Sequence, residues 1–237
     1  MLTAAQLTGQ DDSLLITLAD GHRLLPEAAV AFSRLQDDAA AAGFGLAIAS
    51  SYRSYDHQRL IWNRKASGER PVHDDHGAPV AVLDLPPVER VQAIMRFSAM
   101  PGSSRHHWGT DLDIYDAQAV PADYQLQLSP QEVAVGGPFD ALHRWLDARM
   151  AAGQSHGFYR PYGVDRGGVA PERWHLSYAP LAALYGGQLS VELLERCWDS
   201  DPEGVLLRDI LEAQLPDLLL RYVAVSSNWC PAQQVPG

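Results

Sequence analysis

The chain has 237 residues, 46% of them hydrophobic, and a formal net charge of -11 at pH 7. That length and apolar content suit one domain with a substantial core, and no segment reads as a disordered low-complexity tail. The acidic balance argues against a protein that grips phosphate backbones, so no nucleic-acid partner is expected, and no apolar stretch approaches the length of a membrane span.

Residues 1–25 hold a short alternating segment around Leu14 to Leu18, closed by Asp20-Gly21. Pro26 opens a helix at its favoured first-turn position, with Val30, Phe32, Leu35 and Ala39 as an apolar stripe and Gly43 as its end. Residues 45–51 read as a short strand running into Tyr52-Arg53-Ser54, where Ser54 is an N-cap for the next helix. Residues 66–86 are loop-like and include the charged cluster His73-Asp74-Asp75-His76, which reads as a solvated loop or a lid. An amphipathic helix follows from Pro87, and Pro101-Gly102 breaks it. Residues 116–137 form a long excursion before a helix over 139–150. Two further strands, 156–160 and 174–178, flank a Gly-rich turn.

Beyond Pro180 the pattern is helical over 181–185, 191–198 and 205–215, with Pro202 and Pro216 as punctuation. The predicted fold is α+β: a single domain with a central antiparallel sheet flanked by helices and a helical C-terminal extension. Residues 1–180 are expected to form the main domain and 181–237 the extension packed on it.

The first 25 residues contain no basic segment followed by an apolar run, because Gln10-Asp11-Asp12 interrupts where one would lie. A cytoplasmic location is therefore expected, or a periplasmic or extracellular one for a trimmed mature form. Cys197 and Cys230 are far apart and outside any CxxC pair, so they read as inert thiols that pair only after export. Nothing in the pattern sets an oligomeric state.

The densest chemistry lies in Ser103-Ser104-Arg105-His106-His107-Trp108-Gly109-Thr110-Asp111-Leu112-Asp113. On a strand, Asp111 and Asp113 share one face while Leu112 and Ile114 point into a core. Imidazole and carboxylate at a strand mouth are zinc-type ligands. A third ligand, His175, follows Glu172 by three positions, and a strand over 174–178 turns it toward the same cleft. Two histidines and one aspartate leave a coordination position for water, and a nearby carboxylate such as Glu172 can take that water's proton. Arg53, between a strand and a helix, is placed to stabilise an oxyanion. His107 adjoins a ligand candidate, but neighbours in an extended segment face opposite ways, so it is assigned to packing.

These residues carry a family resemblance. Ser104-x-His106-x-x-Gly109-x-x-x-Asp113 resembles the S-x-H-x-x-G-x-A-x-D signature of the zinc D-alanyl-D-alanine peptidases, and Glu172-x-Trp174-His175 resembles their E-x-W-H element. Ser51-Tyr52-Arg53-Ser54 with Gln58 is similar to their S-x-Y-R-S-x-x-x-Q segment. Together the motifs cover roughly residues 45–180 and point to VanY-like carboxypeptidases, within the wider group of lysostaphin, D-Ala-D-Ala peptidases and hedgehog domains.

The resemblance implies one Zn2+ per chain on His106, Asp113 and His175, with Glu172 as base and Arg53 as oxyanion donor. It implies peptidoglycan-derived peptides as substrates, contacted by Ser104 and Gln58, and removal of a terminal D-alanine. L,D-carboxypeptidase, D,D-dipeptidase and a non-catalytic wall-peptide module are the alternatives. Arg53 and Arg105 are the cations expected to receive a substrate carboxylate. Asp111 stands where the signature has a small residue, and is expected to contact substrate or to support a ligand.

Overall fold

The computed structural model describes residues 2–225. In chain order these form α1 (Ala4–Leu7), β1 (Ile16–Thr17), β2 (Arg23–Leu24), α2 (Pro26–Ala41), β3 (Leu46–Ser50) and α3 (Tyr55–Ala66). A hairpin of β4 (Val72–His73) and β5 (Pro79–Val80) precedes α4 (Pro87–Met95). A 3-10 turn (Arg105–Trp108) leads into β6 (Asp111–Asp116), followed by α5 (Pro130–Val133) and α6 (Asp140–Ala151). β7 (Phe158–Tyr159), β8 (His175–Tyr178), α7 (Ala179–Gly186), α8 (Val191–Asp199) and α9 (Arg208–Leu218) complete the order, ending in a π turn (Leu219–Val223).

The main sheet has the order β3-β6-β8-β7, antiparallel throughout. Its buried face carries Ile48, Leu112, Ile114 and Leu176, packed on Phe32 and Leu35 of α2 and Leu142 and Leu146 of α6. Burying such side chains stabilises the layer by about 1.5–3 kcal/mol each. The period of two then forces Asp111, Asp113, His175 and Ser177 onto the opposite face, with Asp113 opposite His175 and Asp111 opposite Ser177. A register shift between Ile48 and Ser50 bends the end of β3 beside Asp113.

A second core joins α3 and α4 to the C-terminal helices: Trp62, Val91, Ile94 and Met95 pack against Leu194, Trp198, Leu211 and Leu215. Caps agree with the pattern in the sequence. The Ser54 side chain accepts from His57 N at α3, and Pro87 occupies the first turn of α4.

Four local expectations are corrected. Residues 66–86 include the β4–β5 hairpin, whose two-residue strands are too short to show a period. Val30 is more than half exposed on α2. The histidine segment is a 3-10 turn rather than extended chain. Pro216 lies inside α9, where buried Leu211, Leu215 and Leu218 hold the helix through the missing hydrogen bond. Cys197 is buried and free, whereas Cys230 lies outside the described residues.

Candidate metal centre and active site

The site begins at Gly109, which ends the 3-10 turn with φ 67° and ψ 17° and redirects the chain into β6. A side chain there would press on Leu15 and on the Leu25 backbone, so glycine suits both the conformation and the space. The turn is stitched to the segment after β3. His106 Nδ1 lies 2.8 Å from the Ser51 carbonyl, Arg53 N donates to His106 O at 3.1 Å, and His107 Nδ1 lies 2.6 Å from the Arg53 carbonyl. A carbonyl only accepts, so His106 Nδ1 carries a proton and Nε2 presents its lone pair. That Nε2 is 3.4 Å from Asp113 Oδ2.

His175 uses the opposite nitrogen. Its Nε2 sits 2.9 Å from Asp111 Oδ1, while Nδ1 faces Asp113 Oδ1 at 3.3 Å and Glu172 Oε2 at 3.6 Å. His106, Asp113 and His175 each offer a ligand atom, all within 4.8 Å of one another. Spacings near 3.3 Å suit tetrahedral zinc, whose bonds to nitrogen and oxygen run about 2.0–2.2 Å. Asp113 Oδ1 is buried without a hydrogen bond.

Electrostatics favour a cation here. Burial works against the Asp113 carboxylate, yet His106 and His175 outweigh it and hold Asp113 well below the usual range. Burial keeps the His106 imidazole neutral, outweighing Asp113. Without a metal, burial disfavours the His175 cation, but the hydrogen bond to Asp111 and the nearby Asp113 carboxylate override it and push the ring up to about 10. A metal would displace the Nδ1 proton, since Nε2 is committed to Asp111.

Glu172 and Arg53 complete the cleft, a cavity of about 560 Å³ that also includes Ser104 and Tyr162 in its wall. Burial raises Glu172 to about 7, Asp113 adds to the rise, and His175, Arg53 and Lys65 oppose it. Such a carboxyl group is poised to exchange protons near neutrality. Arg53 donates through Nη1 to Gln58 Oε1 at 2.8 Å and through Nη2 to Ser50 Oγ at 3.4 Å.

Residues 21–181 match the protein-family model described as "VanY: D-alanyl-D-alanine carboxypeptidase". The chain belongs to this family.

With the VanY family comes its class, the zinc metallopeptidases of D-alanyl-D-alanine carboxypeptidase-like type. Two Haemophilus influenzae proteins, both described as uncharacterized, are similar. One is 43% identical over 103 residues, covering 42% of this chain and 70% of the relative; the other is 36% identical over 123 residues, covering 51% and 90%. Among solved structures, VanYB in complex with D-Alanine-D-Alanine has 22% identity and a TM-score of 0.49, covering 79% of this chain and 89% of that one. The vancomycin-resistance D,D-pentapeptidase VanY from a VanB-type cassette, crystallised with Zn(II), has 24% identity and a TM-score of 0.48, covering 76% and 87%. The family match carries the assignment.

The structure brings His106, Asp113, His175, Glu172, Arg53 and Ser104 to one cleft in this VanY-family chain. Two residues expected to touch substrate do not reach it. Asp111 is fully buried; Oδ1 accepts from Arg105 Nε at 2.8 Å as well as facing His175, and Oδ2 accepts from Thr110 and Ser177. It orients His175 rather than meeting a ligand. Gln58 is also fully buried, holding Arg53 with Oε1 and donating from Nε2 to the Ala99 carbonyl at 2.6 Å. Arg105 is spent on Asp111, Tyr159 and Ser177, which removes it as a carboxylate receiver. His107 lies outside the cleft lining, with Nδ1 on the Arg53 carbonyl, and it is the 3-10 turn rather than strand alternation that separates it from His106. Sequence reading missed Lys65, Arg70, Ser98 and Tyr162 in the cleft wall, and the one available signal was that Lys65 is the only lysine of the chain.

Proposed function

We propose that this VanY-family chain is a zinc-dependent carboxypeptidase that removes the terminal D-alanine of peptidoglycan stem peptides. The observation that carries the reading is an inward-facing trio of His106, Asp113 and His175 with Glu172 Oε2 only 3.6 Å from a ligand nitrogen in the same cleft. Their two free ring nitrogens and one carboxylate fit zinc, which when bound acts as a Lewis acid and lowers the pKa of water.

Glu172 removes a proton from the attacking water and later delivers it to the leaving amine. Its rise to about 7 suits both halves of that exchange. As the scissile carbon becomes tetrahedral, charge gathers on its oxygen, and Arg53, locked by Gln58 and Ser50, supplies donors there. A binding module that needed only the metal would have no use for Glu172 or Arg53.

Purified protein should hold one zinc per chain and shorten a muropeptide pentapeptide by one alanine, read by mass. Glu172→Gln should keep the metal and lose at least about a hundred-fold in turnover. Cleavage of the tetrapeptide in preference to the pentapeptide would move the activity to L,D-carboxypeptidase, and cleavage of free D-Ala-D-Ala alone to a dipeptidase. Undiminished turnover by metal-free protein would refute the mechanism.

A further inference from the structure

Lys65 is the only lysine among 237 residues, and it lies in the wall of the catalytic cleft on the last turn of α3. It is half-buried, and its Nζ donates to Ser98 Oγ at 2.6 Å, with Ser98 in the same wall. Among the described residues, no carboxylate stands within ion-pair distance of it. Arg59, Arg105 and Arg160 each pair with a carboxylate, Asp201, Asp111 and Asp147 in turn, whereas among the described residues Lys65 and its cleft neighbour Arg53 do not. Removing a cation from water without a counter-charge is costly, and a chain with 29 acidic residues had ample means to avoid it.

We infer that Lys65, tethered by Ser98 and backed by Arg70, receives the free α-carboxylate of the substrate's C-terminal residue and so restricts the cleft to cutting one residue from a chain end. This rests on the carboxypeptidase reading above. The placement follows from the chemistry of the leaving group. The amine that Glu172 must protonate is joined through a single carbon to the terminal carboxylate, so the carboxylate's receiver must lie close to Glu172. Lys65 lines the same cleft as Glu172. Arg53 and Arg70 share that wall, and both press on Lys65. Burial first, and then these two cations, bring the Lys65 amine down to about 8. An arriving carboxylate relieves that repulsion, while a carboxamide cannot. Arg53 is assigned to the oxyanion and Arg70 is exposed, while Lys65, with one of its three donors on Ser98, has two left for a carboxylate.

Because Lys65 is the only side-chain amine, acetic anhydride followed by peptide mapping reports on it separately from the N-terminal amine. In zinc-loaded Glu172→Gln protein, D-alanyl-D-alanine should slow Lys65 acetylation about tenfold or more, and its C-terminal amide should not. Equal protection by acid and amide, or none by either, overturns the inference. This arm needs no turnover, so it stands even if the carboxypeptidase assay fails. In the active protein, Lys65→Met should raise KM for the pentapeptide roughly ten- to a hundred-fold with kcat nearly kept, and Lys65→Arg should recover most of the loss. An unchanged KM in folded Lys65→Met protein would also overturn it; should that variant not fold, the acetylation arm decides.

Discussion

Asp111 sits one step down the β6–β8 ladder from the Asp113–His175 pair, opposite Ser177, with no exposure to solvent. It gathers a buried guanidinium, an imidazole and two hydroxyl groups. Burial alone would raise this acid, but Arg105 and then His175 outweigh it and hold it at about 2. Its work is to fix His175 Nε2 as the protonated nitrogen, which leaves Nδ1 for the metal. Asp111→Asn should therefore weaken zinc binding about 10- to 100-fold, measured by competition with a chelator of known affinity. Zinc affinity equal to the parent's would show that His175 needs no such support. Alternation along the strand correctly puts Asp111 and Asp113 on one face. It cannot reveal that Arg105, six residues earlier, folds back over Asp111, because that contact depends on the 3-10 turn between them.

At the scale of elements, α3 is the part on which the cleft depends most. Gln58 at its first turn holds Arg53, and Lys65 stands at its far end. The helix is pinned from below by the segment after α8: Tyr55 Oη donates to Asp201 Oδ2 at 2.8 Å, Arg59 Nη1 to Asp201 Oδ1 at 2.5 Å, and Trp62 Nε1 to the Leu206 carbonyl at 2.9 Å. Asp201→Ala should cost about 1–3 kcal/mol, because it removes the acceptor of Tyr55 and the buried partner of Arg59, leaving Arg59 only the exposed Glu203 and Asp56, and lower Tm by roughly 2–12 °C. Calorimetry showing a smaller loss, below about 1 kcal/mol, would mean that the helix is held by its apolar contacts alone. Helices that begin with proline and carry apolar residues at helical spacing, such as α2 and α4, are legible in the sequence. The β4–β5 hairpin and the histidine turn are not, since elements of two to four residues are too short for a period to emerge.

Over the whole molecule the apolar interior of the described residues divides into three clusters: one under the sheet, a second between α3, α4 and the helices after Pro180, and a smaller one of Val133, Phe139 and Trp174. The division into sheet and C-terminal helices is readable from hydrophobic patterning, whereas the strand order β3-β6-β8-β7 is not, because pairing depends on contacts distant in sequence. Zinc that binds only the folded state should stabilise it by about 2.7 kcal/mol at a free concentration 100 times Kd, raising Tm by roughly 5–11 °C. A melting temperature indifferent to zinc or to chelator would count against a resident metal.

Asp113 and His175 become cross-strand neighbours only when β6, ending at Asp116, pairs with β8, which begins at His175. A nascent chain holding only its first two ligands therefore has no closed site to offer, and metal capture must wait for the last strands of the sheet. Metallation then marks the completion of assembly, and a chain released early or cut between those strands would be recognisable by its failure to retain zinc.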